Sequence, residues 1–272
     1  MQYKVLALDL DGTLTNNAKV ITPRTKAALQ AAADRGVRIV LASGRPNVGI
    51  EPLAKELELD RRGGCILSYN GGKIIDCKTG ETLVQHEFPP ELIDPVCTFA
   101  RYWNVMPLTY DAKGIVTEDA ANPYVGEEAR INKIPARQVE NLPAEIQWPI
   151  NKLLLVGDPV DMPHVEELMQ QKFAGKLSIY RSAPFFIETM PLGVEKSASL
   201  ALLLKNMGLG PENLMACGDG WNDLPMIRYA GMGVAMGNAV PEVKQAAKYV
   251  TADNEHDGVG LAVEKFILED PQ

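Results

Sequence analysis

The chain has 272 residues, of which 46% are hydrophobic, and this suffices for the core of one large domain or of two smaller ones. Its formal net charge of −8 argues against a general affinity for nucleic acid or anionic membranes, although a local cationic site for a small anion stays open. The sequence contains no apolar run approaching the roughly 20 residues that a membrane-spanning helix needs.

The N-terminal part of the chain alternates between strand and helix patterns. Val5–Leu8 is a short apolar run that predicts a buried strand. Thr22-Pro23 then predicts the N-cap and first residue of a helix. The next elements are a strand, an amphipathic helix and a strand, predicted near residues 37–42, 50–57 and 65–69. This order is typical of a parallel sheet with crossover helices.

From about Lys73 the pattern changes to short strands and frequent prolines. Two hairpins are predicted, one pairing residues 73–77 with 82–88 and the other pairing 107–111 with 114–118. Further strands are predicted at residues 152–156, 177–181 and 185–189, with one amphipathic helix near 160–173. Several short strands with few helices predict a separate α+β unit at residues 84–188.

The alternating pattern returns after this insertion. A helix at residues 195–207 and a strand at 214–217 precede a glycine-rich loop, a helix that begins near Asn222, and short strands at 233–236 and 249–251. The predicted fold class is therefore α/β, with a Rossmann-like, doubly wound parallel sheet formed by residues 1–83 and 189–272.

Polar residues follow the ends of several predicted elements. They are Asp9, Asp11, Ser43, Gly44, Lys196, Asp219, Asn222 and Asp223. Because open α/β sheets place ligands at the carboxyl ends of their strands, we expect these groups to converge, with four carboxylates in one crevice. Two unit charges about 5 Å apart repel by roughly 3 kcal/mol at an effective dielectric of about 20, so the cluster needs either a cation or shifted protonation. Oxygen ligands suit Mg²⁺, and a hydroxyl, an amide and a lysine suit phosphate, so the sequence predicts a phosphoryl site with Mg²⁺.

Other metal sites and extracellular features are not expected. The four cysteines form no CxxC pair, which predicts reduced thiols in a cytoplasmic protein and neither a disulfide framework nor a zinc site. The three histidines are far apart in the sequence, so a histidine-based metal site is not predicted. The N-terminus leads directly into the first strand, and we therefore expect no signal peptide.

Four segments of the chain resemble the motifs of the haloacid dehalogenase superfamily. They are Asp9-Leu10-Asp11-Gly12-Thr13, Ser43-Gly44-Arg45, Lys196, and Gly218-Asp219-Gly220-Trp221-Asn222-Asp223. The likeness extends over the whole chain, and the large insertion between the second and third motifs resembles the Cof-like sugar-phosphate phosphatases. Two positions depart from the common pattern. Ser43 stands where many relatives have threonine, and Trp221 is a bulky side chain that either contacts substrate or packs against protein.

The resemblance implies a role for each of these residues. Asp9 would be the nucleophile that forms an aspartyl-phosphate, and Asp11 would be the general acid and base. Mg²⁺ would bind Asp9, the backbone carbonyl of Asp11, and Asp219. The phosphoryl oxygens would be held by the backbone N–H groups of Leu10 and Gly44 and by the side chains of Ser43, Lys196 and Asn222.

Three further positions are candidates for substrate specificity, namely Arg45, Asn70 and Gly71. Asp223 would not bind the metal directly but would orient water on the metal or Lys196. Residues 84–188 would form an inserted α+β cap domain that excludes water and contacts the non-phosphate part of the substrate, unless the insertion is purely structural.

The resemblance thus implies a Mg²⁺-dependent phosphatase for a small phosphorylated metabolite. It would be a cytoplasmic monomer or weak homo-oligomer without nucleic-acid or membrane partners. Erythrose, glucose, mannose, flavin and pyridoxal phosphates are all compatible substrates. Two alternatives are a phosphomutase or phosphotransferase with the same intermediate, and a non-enzymatic phospho-accepting module. Asp11 and the insertion argue against the phospho-accepting module.

Overall fold

The computed structural model describes residues 2–269. The chain divides into two compact units, of which the first comprises the chain up to Val84 and from Glu195 onward. The second unit is the continuous segment Gln85–Val194.

The strands, in chain order, are β1 (Val5–Leu8), β2 (Arg38–Ala42), β3 (Gly64–Ser68), β4 (Lys73–Asp76), β5 (Thr82–Gln85), β6 (Met106–Tyr110), β7 (Ile115–Thr117), β8 (Ala136–Gln138), β9 (Leu153–Val156), β10 (Leu177–Ala183), β11 (Phe186–Pro191), β12 (Leu214–Gly218), β13 (Met232–Ala235) and β14 (Tyr249–Val250). The α-helices are α1 (Pro23–Asp34), α2 (Asn47–Glu56), α3 (Leu59–Arg62), α4 (Pro90–Tyr102), α5 (Pro123–Asn132), α6 (Leu142–Glu145), α7 (Met162–Lys172), α8 (Lys196–Asn206), α9 (Leu224–Tyr229), α10 (Pro241–Ala246) and α11 (Gly258–Val263).

An eight-stranded sheet with the order β14-β13-β12-β1-β2-β3-β4-β5 forms the centre of the first unit. The neighbours from β14 through β3 are parallel, whereas β4 runs antiparallel to β3. Leu8 at the end of β1 lies opposite Cys217 of β12 and Leu41 of β2. The carboxyl ends of these three strands therefore lie side by side, where an α/β sheet reverses its strand order and places its ligands.

The parallel strands form because their residues are apolar on both faces. All four residues of β1 are buried, as expected for a strand covered by helices on each side of the sheet. Helix α1 packs against α11, and α8 packs against α9. These features confirm the predicted Rossmann-like α/β core.

The start of α1 differs in one detail from the sequence prediction. Pro23 is the first helical residue and Thr22 occupies the N-cap position, but the Thr22 side chain accepts no capping hydrogen bond. Its hydroxyl donates instead to the carboxylate of Asp257. A carboxylate is a strong acceptor, so the hydroxyl makes a long-range contact in place of the local cap.

The second unit contains a six-stranded sheet with the order β10-β11-β9-β6-β7-β8. Its neighbours are antiparallel except for the parallel pair β7 and β8. One face carries Leu153, Leu155 and Ile187, which belong to the same buried cluster as Phe99 of α4 and Met169 of α7. This unit thus has a hydrophobic core of its own.

The prediction of a single helix in the insertion was wrong, because α4 and α5 also form there. Pro90 and Pro123 stand at the beginning of these helices, where the N–H that proline lacks has no helical partner. Asn122 also caps α5, since its side chain accepts the N–H groups of Tyr124 and Val125. Prolines that favour a loop interpretation in the sequence are therefore helix-start signals here.

Two simpler expectations can be compared directly with the structure. All four cysteines are free thiols, as the sequence predicted. Within residues 2–269, no helix combines the length and the apolar character that crossing a bilayer requires.

Candidate active site

Asp9 follows β1 directly and is held by the neighbouring strand, since its N–H donates to the carbonyl of Cys217 over 3.0 Å. A tight turn then begins, in which the Leu10 carbonyl accepts the N–H of Thr15 over 2.9 Å and the Asp9 carbonyl accepts that of Leu14 over 3.2 Å. Gly12 has a φ of +83° and lies against the carboxylate of Asp219, where a Cβ atom would collide. The turn therefore requires glycine at this position.

This turn interrupts the strand geometry between Asp9 and Asp11. The strand ends before Asp9, so the alternation of side chains along a strand does not continue to Asp11. The clustered carboxylates are those of Asp9, Asp219 and Asp223, whose ligand atoms lie within 4.8 Å of one another. Asp11 is not one of these three, but its charge acts on Asp219 and contributes to raising the pKa of that carboxyl.

Lys196 is the first residue of α8 and its side chain is fully buried, with 0% exposure. Its Nζ lies 2.6 Å from Oδ1 of Asp9 and 2.7 Å from Oδ1 of Asp223. A lysine at the positive end of a helix dipole is unfavourable by itself, and these two carboxylates compensate for that position. Lys196 thereby joins residues from opposite ends of the sequence.

Asp223 uses both oxygens within the protein. Its Oδ1 accepts from Lys196, and its Oδ2 accepts the backbone N–H groups of Asp219 over 2.9 Å and Gly220 over 3.0 Å. Thr13 donates its hydroxyl to Oδ1 of Asp219 over 2.7 Å. Asp223 therefore fixes the loop after β12 and the amine of Lys196, whereas Asp219 is oriented through one oxygen only.

Asp9 and Asp219 are held in an environment that opposes their ionisation. Burial raises the pKa of Asp9 to about 8, with a further contribution from Asp223 and with Lys196 acting in the opposite direction. Burial also raises the pKa of Asp219 to about 6, against the hydrogen bond from Thr13. Burial disfavours the charge of Lys196, but Asp223 and Asp9 outweigh this effect and raise the pKa of its amine.

These raised pKa values indicate that the cluster suits a divalent cation. Asp9 and Asp219 present hard oxygen atoms at the rim of a parallel sheet, and a cation there would offset their mutual repulsion. Mg²⁺ is commonly bound through one or two carboxylates with water and substrate phosphate completing its coordination. The oxygen donors of this cluster are therefore of the kind that bind Mg²⁺.

The carboxylate of Asp11 contacts a different pair of charges. Arg45 binds it in a bidentate manner, with Nε 2.8 Å from Oδ2 and Nη2 2.6 Å from Oδ1. Lys19 also contacts Oδ1, over 2.5 Å. Burial opposes the ionisation of Asp11, but hydrogen bonds and charge from Arg45 and Lys19 outweigh it and lower the pKa of Asp11.

Asn70 connects the remaining candidate residues. Its N–H donates to the Ser43 carbonyl over 2.9 Å, and its Oδ1 accepts from Nδ2 of Asn222 over 3.2 Å. A Cβ atom on Gly44 would lie 3.0 Å from Nδ2 of Asn70, so the two residues are in close contact. Asn70 has a left-handed φ of 51°, and such strain in a non-glycine residue is concentrated at functional sites.

Gly71 lies against the start of α8. Its carbonyl accepts the hydroxyl of Ser199 over 2.6 Å, and its φ of +108° is reserved for glycine. A Cβ atom at Gly71 would collide with the carbonyl of Glu195, the residue before Lys196. The structure therefore brings Ser43, Asn70 and Asn222 into one hydrogen-bonded series beside the helix that carries the buried lysine.

Comparisons with known proteins agree with this geometry. Residues 6–263 match the family model described as haloacid dehalogenase-like hydrolase. The chain belongs to the haloacid dehalogenase-like hydrolase family. The match confirms the predicted superfamily and its Cof-like branch, with a Rossmann-like core.

Several relatives match over nearly their whole length. A Streptococcus pyogenes protein provisionally named as a phosphatase is 32% identical over 275 residues, covering 98% of this chain and 100% of the relative. The 5-amino-6-(5-phospho-D-ribitylamino)uracil phosphatase YcsE of Bacillus subtilis is 30% identical over 268 residues, covering 98% of this chain and 97% of the relative. These relatives and the family confirm the prediction of a phosphoric monoester hydrolase.

The solved structures support the same family. A haloacid dehalogenase-like hydrolase from Bacteroides thetaiotaomicron superposes with a TM-score of 0.94 and 45% sequence identity. The alignment covers 97% of this chain and 99% of that structure.

Within this family fold, two contacts of the site were not predicted from the sequence. Lys19 gave no signal beyond being a lysine in the loop before α1, yet it reaches Asp11. Asn238 donates from Nδ2 to the Gly12 carbonyl over 2.8 Å and so supports the turn after Asp9. Trp221 is 66% exposed, so its ring does not pack into the core.

Proposed function

We propose that the protein is a Mg²⁺-dependent phosphatase of small phosphomonoesters, in particular sugar phosphates, acting through an aspartyl-phosphate on Asp9. The observation that carries this proposal is the fully buried Lys196, which contacts Asp9 and Asp223 beside Asp219. A buried carboxylate, a fixed cation and a second carboxylate at one strand edge suit phosphoryl transfer, in which positioning and charge stabilisation dominate.

Asp9 is the proposed nucleophile. Its carboxylate oxygen attacks phosphorus, the bond to the leaving alkoxide breaks, and the phosphoryl group is held as an acyl phosphate that water then hydrolyses. Asp11 is the proposed general acid, which gives its proton to the leaving oxygen. In the second half-reaction Asp11 takes a proton from the attacking water, so one carboxyl group serves both steps.

The proposed phosphoryl ligands are one cation, one hydroxyl, one side-chain amide and two backbone N–H groups. Lys196 supplies a cation that the fold already holds 2.6 Å from Asp9, and Ser43 supplies a hydroxyl at the end of β2. The amide of Asn222 is oriented by Asn70, and further donors are the backbone N–H groups of Leu10 and Gly44. Prealigned donors of this kind lower the barrier because they need no reorganisation as charge develops on the phosphoryl oxygens.

Mg²⁺ would be held by Asp9, the backbone carbonyl of Asp11, and Asp219. When bound, it supplies positive charge that keeps these carboxylates ionised and screens them from the anionic substrate. Asp223 is excluded from this ligand set because Lys196 and two backbone N–H groups already engage its oxygens. Its proposed role is to orient Lys196 and the loop after β12.

The proposed source of specificity is residues 84–188 as a cap domain, together with Arg45, Asn70 and Gly71. The relative YcsE is named for a phosphoribitylamino substrate, and a Serratia proteamaculans relative with 27% identity is named HMP-PP phosphatase. These names support a small phosphorylated metabolite with a polar or heterocyclic part. The net charge of −8 and the free thiols support a cytoplasmic enzyme without nucleic-acid or membrane partners, as a monomer or weak homo-oligomer.

The metal requirement is tested by phosphate release from a panel of sugar phosphates and 4-nitrophenyl phosphate. We expect EDTA to lower the rate by at least about 100-fold and Mg²⁺ to restore it. Mg²⁺ should also raise the melting temperature of the wild type but not of Asp219→Asn, because only the wild type retains the full ligand set. Full activity in EDTA would contradict the proposal, and phosphate transfer to added glycerol in preference to water would favour a phosphotransferase.

Trp221 provides a test of specificity. Because its ring is 66% exposed, we expect Trp221→Ala to change the free energy of unfolding by less than about 0.5 kcal/mol. If the ring contacts substrate, KM for sugar phosphates rises while inhibition by inorganic phosphate is unchanged. Leu202→Ala, which removes a 42% exposed side chain from α8 in the first unit, is the control. An unchanged KM across the panel would exclude substrate contact by Trp221.

A further inference from the structure

We propose that Lys19 is a positioning residue for the reaction and that, together with Arg45, it fixes the direction of the Asp11 carboxylate. The inference rests on the proposed function, since Asp11 is there the group that exchanges protons with the leaving oxygen and with water. It assigns a role to a lysine that lies outside the four motifs.

Both oxygens of Asp11 are engaged from two sides. Arg45 contributes one hydrogen bond to each oxygen, and Lys19 adds a third contact, to Oδ1, over 2.5 Å. A bidentate guanidinium fixes the plane of a carboxylate. Lys19 adds a second cation on Oδ1, whereas Oδ2 has only the contact from Nε of Arg45, so Oδ2 is the oxygen that can carry the proton exchanged with substrate.

The loop that carries Lys19 is itself fixed. Lys19 donates its N–H to the Asn16 carbonyl over 2.8 Å, and Asn16 closes the turn by accepting the N–H of Val20 at its Oδ1 over 3.1 Å. The neighbouring Asn17 donates its N–H to Glu255 over 2.6 Å. Lys19 has a φ of 59°, a conformation that is uncommon for a residue with a long side chain.

Stability alone does not explain this arrangement. The Lys19 and Asp11 side chains are 45% and 38% exposed, and ion pairs at such positions contribute only about 0–1 kcal/mol. Arg45 already neutralises the carboxylate. The added contact orders a long side chain and uses a left-handed backbone residue, both of which cost free energy. An orienting role accounts for retaining it.

Orientation matters because Asp11 is outside the regular strand. It lies within the turn that begins after β1, so the strand does not set the direction of its side chain. A general acid must point at the leaving oxygen in the transition state, and a displacement of about 1 Å can cost about 100-fold in rate. Lys19 and Arg45 supply the restraint that the strand does not.

The test compares leaving groups. Alkoxides need a proton from Asp11, whereas 4-nitrophenolate leaves without one. We expect Lys19→Met to lower kcat for a sugar phosphate about tenfold while kcat for 4-nitrophenyl phosphate stays within about twofold. Lys19→Arg should restore most of the loss because it retains the cation. The matched control is Lys26→Met, which removes a lysine of 37% exposure from an ion pair with Glu56 on the same unit.

A double-mutant cycle separates positioning from a general structural effect. In an Asp11→Asn background, Lys19→Met should no longer change the ratio of the two kcat values, because the group it positions is already lost. The proposal would be overturned if Lys19→Met lowered kcat equally for both substrates or left both kcat values unchanged. It would also be overturned if Lys19→Arg did not restore kcat, or if Lys19→Met still changed the ratio of the two kcat values in the Asp11→Asn background. Wild type that hydrolyses neither ester overturns the proposed function and this inference together, whereas active wild type with an unchanged ratio overturns this inference alone.

Discussion

Asp9→Asn is expected to lower phosphate release by about a thousandfold or more while leaving the protein folded. The amide has nearly the shape of the carboxylic acid and can still accept a hydrogen bond from Lys196, but it cannot form an acyl phosphate. The measurement is turnover of 4-nitrophenyl phosphate and sugar phosphates in Mg²⁺, with trapping of a phosphorylated enzyme in the wild type only. Substantial turnover by the variant would remove Asp9 from the nucleophile role.

The stability of the same variant gives an independent result. The pKa of Asp9 in the folded protein is about 8, above its ordinary value near 3.8, so without a cation the folded state binds the extra proton. Wild-type stability therefore falls as the pH rises from about 4 toward 8, whereas an asparagine does not titrate. In EDTA, we therefore expect the melting temperature of Asp9→Asn minus that of the wild type to be larger at pH 8 than at pH 5, because only the wild type is destabilised as Asp9 loses its proton.

Mg²⁺ should make the wild type more stable than Asp9→Asn at pH 8, because the cation binds the wild-type carboxylates and not the amide. The control is Asp34→Asn, which removes a carboxylate from an exposed ion pair with Arg62 and should behave as wild type in both activity and response to Mg²⁺. A melting-temperature difference that does not vary with pH would mean that the cluster does not hold Asp9 in its protonated form.

The core could be predicted because its strands carry a local signal. Val5–Leu8 and Arg38–Ala42 are apolar runs with polar residues immediately after them, and parallel pairing then requires their ends to meet. That rule brings Asp9, Ser43 and Asp219 to one edge without any knowledge of side-chain contacts. Gly12 supports the same prediction, because glycine favours a turn and the positive φ at this position would strain other residues.

The inserted unit was harder to predict because its helix signals have two meanings. Pro90 and Pro123 can punctuate a loop or begin a helix, and Pro95 lies inside α4, where proline is usually excluded. Packing decides between these readings. Val96 and Phe99 on α4 are buried in the core of the second unit, and this burial outweighs the local penalty.

The contacts of Asp11 could not be predicted for a different reason. An ion pair between Lys19 and Asp11 depends on the path of a turn, and no period in the sequence encodes that path. Arg45 was a candidate for substrate specificity, and the structure shows that its guanidinium also binds the carboxylate of Asp11, a contact that the sequence did not indicate. Sequence patterns thus locate the elements that carry the site, and the long-range charge pairs emerge only once the chain is folded.

Lys196→Met is expected to impair stability and catalysis together. The substitution leaves Asp9 and Asp223, both buried, without their shared cation, and breaking a buried ion pair in this way typically costs about 3–5 kcal/mol. Part of that cost is relieved because burial and Asp223 raise the pKa of Asp9, so this carboxyl can remain protonated once Lys196 no longer opposes that effect. Catalysis should fall by at least about 100-fold, since a fixed donor to the phosphoryl oxygens is lost.

The buried pair of Lys152 and Glu188 in the second unit allows these two effects to be separated. Lys152 lies 2.9 Å from Glu188, and both side chains are buried, so Lys152→Met breaks a comparable buried pair that includes none of the proposed catalytic, metal or phosphoryl ligands. Urea denaturation should show a loss of stability in both variants, but only Lys196→Met should lose kcat on 4-nitrophenyl phosphate. Mg²⁺ should restore more stability to Lys196→Met than to Lys152→Met, because a cation can neutralise the carboxylates that the lysine leaves unpaired. Equal activity losses in the two variants would show that Lys196 acts through stability alone and would remove it from the proposed phosphoryl ligands.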